Sequence, residues 1–502
     1  MIADYKDDVM PNKEKSFFIS SDEIDYIEDF YKKSFEDLFS NDSTKVFEAI
    51  SNLTKIAAKN IELFNDYLAF AKILEIANNP NVENYIDILH FFNSVTSNSN
   101  HNMLPIFISE YFLSTLRNYL YFNSNNPDFF RILFRIYGDI IYASDYFSEK
   151  ILSTQFLSRL FEIVHHEPLT SDYFIDLLGC ILLRFNILMN FRIDTFPTIR
   201  KMIMFFFDSP NFVLISNIFS TLAQTSSITY YPFVKSFFVP PIIQKTAEVI
   251  VYDENFLPFT NVKKKAFYSM KKNALSIILN FSSLDDETRS ILIETGLVDL
   301  NCTNICFQKS DNHIDKEMNK GLILVQNDLD STLLPDIASN FFTGSHSNAI
   351  QFAYSLFWSS LITNYEHFNF ETKQRIARTA SLALKAQYDE DLITTILSHN
   401  IMPHIIEALV ECFPTNSIGL ELNCIEAIEN MIHILNRHPK IVEINLAFEA
   451  MNNEGFIDEI NDYLLNNEEI PRRMIPRIQS ILNFFTNYFQ ARQNNNHLEC
   501  IN

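Results

Sequence analysis

Apolar residues recur along almost the whole chain at helical spacing. Met474, Ile478, Ile481, Leu482, Phe485, Tyr488 and Phe489 advance by steps that keep them on one stripe of an amphipathic helix. Pro471 and Pro476 stand near its start, where a missing N–H costs little. No stretch sustains the period-two alternation and hairpin turns of paired strands, so the pattern predicts an all-α fold.

The predicted helices also recur as a set: a polar loop, a short helix, a second helix and a longer apolar helix. One such unit opens at Asp285-Asp-Glu-Thr288, with Gly296 placed to turn between its first two helices. Another runs from Tyr388 to Pro403, with Asn400 in the left-handed role that glycine usually takes. Its next helix, from His404 to Val410, leads into a longer one over 420–435. Three-helix units of roughly 40 to 47 residues are the armadillo period. Each is too small to bury its own apolar side, so neighbours must stack. With no proline-, glycine- or serine-rich linker to divide the chain, residues 21–490 read as one continuous right-handed α-solenoid. Residues 1–20 and 491–502 read as flexible tails, and insertions are expected around 253–262 and 307–313.

Composition narrows the function. The chain has 502 residues but only 7 glycines, too few to build the phosphate-cradling turns of doubly wound nucleotide-binding folds. Its 48 phenylalanines and 21 tyrosines fit a compositional bias of the source genome and carry little functional information. A net charge of −23 disfavours nucleic acid and anionic membrane as partners. Six scattered cysteines read as reduced thiols of an intracellular protein. The acidic start is followed by no apolar signal segment, and the apolar runs 177–183 and 202–207 are too short to cross a bilayer. A soluble cytoplasmic or nuclear protein is expected.

Candidate chemistry is sparse. Cys302, Cys306 and His313 supply three potential zinc ligands where a structural site wants four. His165, His166 and Glu167 lack the spacing that sets two imidazoles on one helical face. Lys263-Lys-Lys265 with Lys271-Lys272 reads as a solvated basic face. No P-loop, nucleophile elbow or dinucleotide fingerprint occurs, so no catalytic residue, metal or cofactor is assigned and no enzyme is expected.

Several segments resemble the armadillo array of importin-α, the adaptor that carries nuclear localisation signals. Asn423-Cys-Ile-Glu-Ala-Ile-Glu-Asn430-Met-Ile, then Phe448-Glu-Ala-Met-Asn-Asn-Glu-Gly455-Phe-Ile, is similar to that family's closing repeat. Tyr137-Gly-Asp139-Ile-Ile, Leu182-Leu-Arg184, and Ile278-Leu-Asn280 with the Asp285–Thr288 stretch resemble its internal steps. The resemblance spans about residues 25–490 and implies a concave groove along the third helices. There the family binds basic peptides through tryptophans and asparagines four residues apart, on one face of each third helix.

Aligned on that pattern, the asparagine slots fall at Asn93, Asp139, Ile181, Thr221, Asn280, Leu324 and Ala383. The tryptophan slots fall at Leu89, Arg135, Leu177, Asn217, Ser276, Lys320 and Thr379, and none holds tryptophan. The single tryptophan, Trp358, reads as core on a second helix. Asp139 and Asp145 offer acids at one end of the groove, where Arg135 opposes a cationic cargo. The groove residues implied are Asn93, Asp139, Asp145, Arg184 and Asn280. An importin-β partnership lacks its handle, because no long Lys/Arg run stands near the start. The resemblance therefore implies a non-enzymatic adaptor that binds an extended peptide in the groove, with nuclear import as its setting. The eroded ladder implies the alternative, an armadillo scaffold for a cytoskeletal or assembly partner with no nuclear-signal binding.

Overall fold

The computed structural model describes residues 21–59, 67–79, 84–98, 108–122, 126–184, 195–208, 212–227, 231–250, 261–300, 332–385, 390–397, 402–412, 418–466 and 470–499. Every regular element among them is a helix, and no strand occurs among the described residues. The chain forms two compact units, residues 1–202 and 203–502.

The first unit holds α1 (Ser21–Asp37), α2 (Ser43–Lys59), α3 (Tyr67–Ala77), α4 (Tyr85–Asn98), α5 (Glu110–Leu120), α6 (Pro127–Ala143), α7 (Asp145–Ile151), α8 (Thr154–His166) and α9 (Ser171–Leu183). The long helices α2, α4, α6 and α9 pack side by side in that order, and α3 packs on α5 in a second rank. Helix α10 (Phe196–Phe207) carries the division between the units.

The second unit continues with α11 (Phe212–Ser226), α12 (Tyr231–Phe237), α13 (Pro240–Ile250), α14 (Asn261–Ser282), α15 (Asp286–Glu294), α16 (Leu333–Phe342), α17 (His346–Ala353), α18 (Leu356–Thr363) and α19 (Phe370–Lys385). It closes with α20 (Glu390–Leu397), α21 (Met402–Cys412), α22 (Ile418–Arg437), α23 (Val442–Asn453), α24 (Phe456–Asn466) and α25 (Ile475–Glu499). Its third helices α11, α14, α16, α19, α22 and α25 form one rank of successive neighbours, and its first helices α15, α17, α20 and α23 form another.

Local chemistry sets the helix starts and turns. Asp285 caps α15 through a capping box: its carboxylate accepts the Thr288 N–H at 2.8 Å, and the Thr288 hydroxyl accepts the Asp285 N–H at 3.2 Å. Gly296 takes φ +85, the left-handed turn expected of it, before the short 3₁₀ turn Leu297–Asp299. Asn400, assigned the same role, lies outside the described residues. Pro127 opens α6 at its first position.

Phenylalanines fill the spaces between repeats. In the first unit Phe92 meets Phe70 at 5.5 Å and Phe112 at 4.9 Å between ring centroids, and all three are fully buried. Trp358 on α18 is fully buried, edge-on to Phe342 at 4.9 Å, so it is core as expected. The stripe of the last helix behaves likewise: Met474, Ile478, Ile481 and Phe485 are buried. That helix runs on to Glu499.

Candidate binding face on the third helices

Helical periodicity leaves one polar edge of each long helix uncovered after its apolar sides have been buried by the helices before and after it. In the first unit this face presents Asp87, His90 and Asn93 from α4. Helix α6 adds Arg131, Arg135 and Asp139, and α9 adds Asp172, Tyr173, Asp176 and Cys180.

Asp139 accepts hydrogen bonds from Ser97 Oγ at 2.6 Å and Thr96 Oγ1 at 3.2 Å, both in the last turn of α4. Arg184, just past α9, donates from Nε to the Ile141 carbonyl at 2.8 Å, and from Nη1 to Asp145 at 2.8 Å. The structure thus brings Asp145 and Arg184 together as a pair that ties α9 to the end of α6. Arg131 is occupied too, donating to Asp128 at 2.9 Å and from Nη2 to the Leu169 carbonyl at 3.0 Å. Asp172 and Asp176 make no ion pair among the described residues. Burial pushes the Asp176 carboxyl above its ordinary range, Asp172 one turn away adds to this, and Arg135 opposes it. Cys180 is pushed up to about 12, by burial first and then by Asp139 and Asp176, so it is an inert thiol beside an acidic patch.

The same slots in the second unit are structural. Asn280 donates its amide to Ser226 Oγ at 3.0 Å, at the end of α11. Asn340 donates to Ser282 Oγ at 2.9 Å and to the Leu279 carbonyl at 3.3 Å, at the end of α14. Asn430 donates to the Leu384 carbonyl at 2.8 Å, at the end of α19. In each case the amide bonds a carbonyl or a serine hydroxyl at the end of the preceding third helix. Asp139 also contacts the end of the preceding helix, but as an acceptor of the Thr96 and Ser97 hydroxyls. Asn93 Oδ1, like Asn430 Oδ1, is buried with no hydrogen-bond partner.

Charges on the second unit's face are matched between neighbouring third helices. Arg375 of α19 pairs with Asp336 of α16 and with Glu371 at 2.9 Å. Lys385 reaches Glu426 of α22 at 3.0 Å and Asn423 Oδ1 at 2.6 Å. Arg477 of α25 donates from Nε to Glu429 at 2.9 Å and lies 3.7 Å from Glu426. Such half-exposed pairs contribute only about 0–1 kcal/mol each, yet they leave these acids already engaged.

Packing departs from the sequence register at three helices. Leu89 on α4, Leu177 and Ile181 on α9, and Thr379 and Ala383 on α19 are buried at 1% exposure or less, so they face the core. Their less buried neighbours on α9 and α19 are Asp176 and Arg378, which are exposed, and Cys180 and Leu382, which are half-buried. Arg135, Asn217, Thr221, Ser276 and Asn280 stand on the uncovered edge as aligned. Lys320 and Leu324 lie outside the described residues, and Asn340 occupies the rank they were assigned to. A signal for it exists: Asn280-Phe281 and Asn340-Phe341 stand at the same spacing before the N-caps Asp285 and Ser345.

Among the remaining candidates, Cys302, Cys306 and His313 lie outside the described residues, and no potential metal-binding group occurs among the described ones. Lys271 departs from the expected solvated face. It is only 4% exposed, with its ammonium 4.9 Å from the Phe267 ring, because the helix turns it inward and the ring's π face accepts the charge. No described helix is long and apolar enough to cross a membrane.

No protein-family model and no curated protein matches the sequence. Among solved structures the chain is similar to an engineered protein, with a TM-score of 0.57 at 13% identity over 90% of this chain and 97% of that one. It is also similar to SYS-1, with a TM-score of 0.55 at 12% identity over 96% of this chain and 89% of that one. A computationally designed armadillo repeat protein for modular peptide recognition gives 0.41 at 12% identity, over 56% of this chain and 97% of that one. At these identities the likeness to the engineered protein and to SYS-1 is one of fold. Together with the ranked three-helix repeats, it makes the chain an all-α, armadillo-type solenoid.

Proposed function

We propose that the chain is a non-enzymatic protein-binding scaffold whose first unit takes an extended, basic segment of a partner across α4, α6 and α9. The observation that carries this reading is the contrast between the two third-helix faces. In the first unit Asp172 and Asp176 stand without ion-pair partners among the described residues, and the Tyr173 ring beside Asp172 is already covered by Arg131 at 5.5 Å. In the second unit the corresponding acids Asp336, Glu426 and Glu429 are engaged by arginine or lysine.

A nuclear-signal cargo of the importin-α kind is the narrower version of this reading. Acidic side chains facing lysine and arginine favour it. The missing tryptophans, with Arg135 in one of their slots, favour the broader alternative of a scaffold for an assembly or cytoskeletal partner.

The test is fluorescence anisotropy with labelled peptides: a nuclear localisation signal, a scrambled basic peptide and an acidic control. Basic peptides are expected to bind with an affinity that falls as salt rises. Reversing both charges in D172K/D176K should weaken binding by about tenfold or more, since each contact near 4 Å is worth about 1 kcal/mol in water. Equal affinity for the signal and its scramble selects the broader scaffold. No binding of any basic peptide at low salt refutes the proposal.

A further inference from the structure

We propose that the first unit also carries a phosphoryl-binding cavity between α5, α6, α7 and α8, apart from the third-helix face. A recess of about 260 Å³ opens there. Tyr137 of α6 lines it at 2% exposure, held edge-on to Phe156 at 4.9 Å. A phenol buried this deeply ordinarily has a hydrogen-bond partner. The Tyr137 hydroxyl has none among the described residues, although it lines an open recess.

Arg117 of α5 lines the same recess, exposed and without an ion pair among the described residues. Tyr121 contributes a second hydroxyl. Ser153 and Gln155 bring the start of α8, a 13-residue helix with no acidic residue in its first turn. Ser153 Oγ already accepts the Phe156 N–H at 3.1 Å, while the Gln155 N–H has no partner within the helix. Lys150 stands at the edge with its charge matched by Glu110, and Arg159 beside Tyr121 is matched by Glu162. The uncompensated positive character therefore comes from Arg117 and the start of α8.

These donors converge from separate elements: a guanidinium fork, a buried phenol, a second phenol and a helix N-terminus. A carboxylate offers two oxygens in one plane, whereas a phosphoryl group offers three terminal oxygens that take donors from several directions. Burial raises the Tyr137 hydroxyl's pKa, opposed chiefly by Arg117, so the phenol stays protonated and donating at neutral pH with the guanidinium in electrostatic reach. The phosphoryl group has two possible sources, a free phosphate ester or a phosphorylated side chain of a protein partner.

The test is calorimetric titration of the full chain with inorganic phosphate, a phosphoserine peptide and its unphosphorylated form. One saturable site is expected for phosphate or for the phosphopeptide. R117Q should weaken it about tenfold, the scale of a lost charge-assisted hydrogen bond, and Y137F severalfold. Arg117 is exposed and Y137F removes one atom, so both variants should keep the fold, checked by circular dichroism. D458N, exposed on α24 of the second unit, should leave the site unchanged. Tighter binding of the phosphopeptide than of phosphate identifies a modified partner, and equal binding a free ester. Absence of saturation by either ligand to about 10 mM overturns the proposal, as does unaltered binding in both variants.

Discussion

Phe352 gives the sharpest test of the stacked-repeat account. It lies on α17, with its ring stacked on Phe341 of α16 at 4.4 Å and 7°. It also meets Phe342 edge-on at 5.5 Å and Phe357 of α18 at 5.6 Å. All four rings are at most 3% exposed. Truncation by F352A removes a buried aromatic and leaves a cavity, which costs about 3–5 kcal/mol. Each lost ring pair accounts for about 0.5–1.5 kcal/mol of specific geometry, which places the loss near the upper part of that range. In a repeat array each unit is held by its own core and its nearest neighbours, so the loss should be local. Hydrogen exchange followed by mass spectrometry reads it directly. A loss of about 4 kcal/mol accelerates exchange in α16, α17 and α18 by about a thousandfold. Helices α4 and α6 in the first unit should exchange as in the wild type. Acceleration below about tenfold in α16–α18, or equal acceleration in α4 and α6, refutes the reasoning.

Four further outcomes follow from the packing and the charges. A Cβ at Gly344 would stand 2.8 Å from Asp286 Oδ1 and 3.0 Å from Arg289, both flexible side chains that can give way, so G344A should lower stability by only about 1 kcal/mol. The same substitution should cost less in a D286A background, as a thermal-melt double-mutant cycle would show. Asp286 accepts the Ser345 N–H at 2.8 Å and is held below its usual carboxylate range by that bond and by Arg289. Its contribution is thus complete above the unfolded value of about 4 and fades as pH falls below it, so D286N should flatten the melting temperature in that acid range. Tyr463 donates to Glu421 Oε2 at 2.6 Å, and Glu421 is 2% exposed. Y463F should therefore cost about 1–3 kcal/mol in urea denaturation and push the Glu421 carboxyl, already raised by burial, higher still. At Asp176 the folded carboxyl is raised, so the fold gains stability as pH drops through that value. D176N should leave the melting temperature at neutral pH unchanged or slightly higher while weakening basic-peptide binding, and a clear fall in melting temperature would contradict the acidic-face reading.

Much of the fold was legible in the residues because a helix's periodicity and its end signals are local. The stripe from Met474 to Phe485, the Asp285 capping box and the turn at Gly296 each need only a few neighbours in the chain. Trp358 could be placed in the core because only the periodicity of one short helix had to be read. The candidate face was legible less evenly. Asn93, Asp139 and Asn280 were assigned to one ladder, yet Asp139 and Asn280 hold the ends of neighbouring helices while Asn93 is left with an unpartnered oxygen.

The sequence by itself determined that the chain is helical, that its helices come in sets, and where individual helices cap and turn. Tertiary structure alone decided the azimuth of each long helix. A rotation of one residue buries Ile181 and leaves Cys180 half-buried at the edge, and sequence spacing across a loop cannot resolve that angle. It also decided which acids remain unpaired. Arg375 meets Asp336, and Arg477 meets Glu429, only because their helices are neighbours in the third rank. Charge pairing between repeats depends on distances between separate elements, and no local pattern along the chain encodes those.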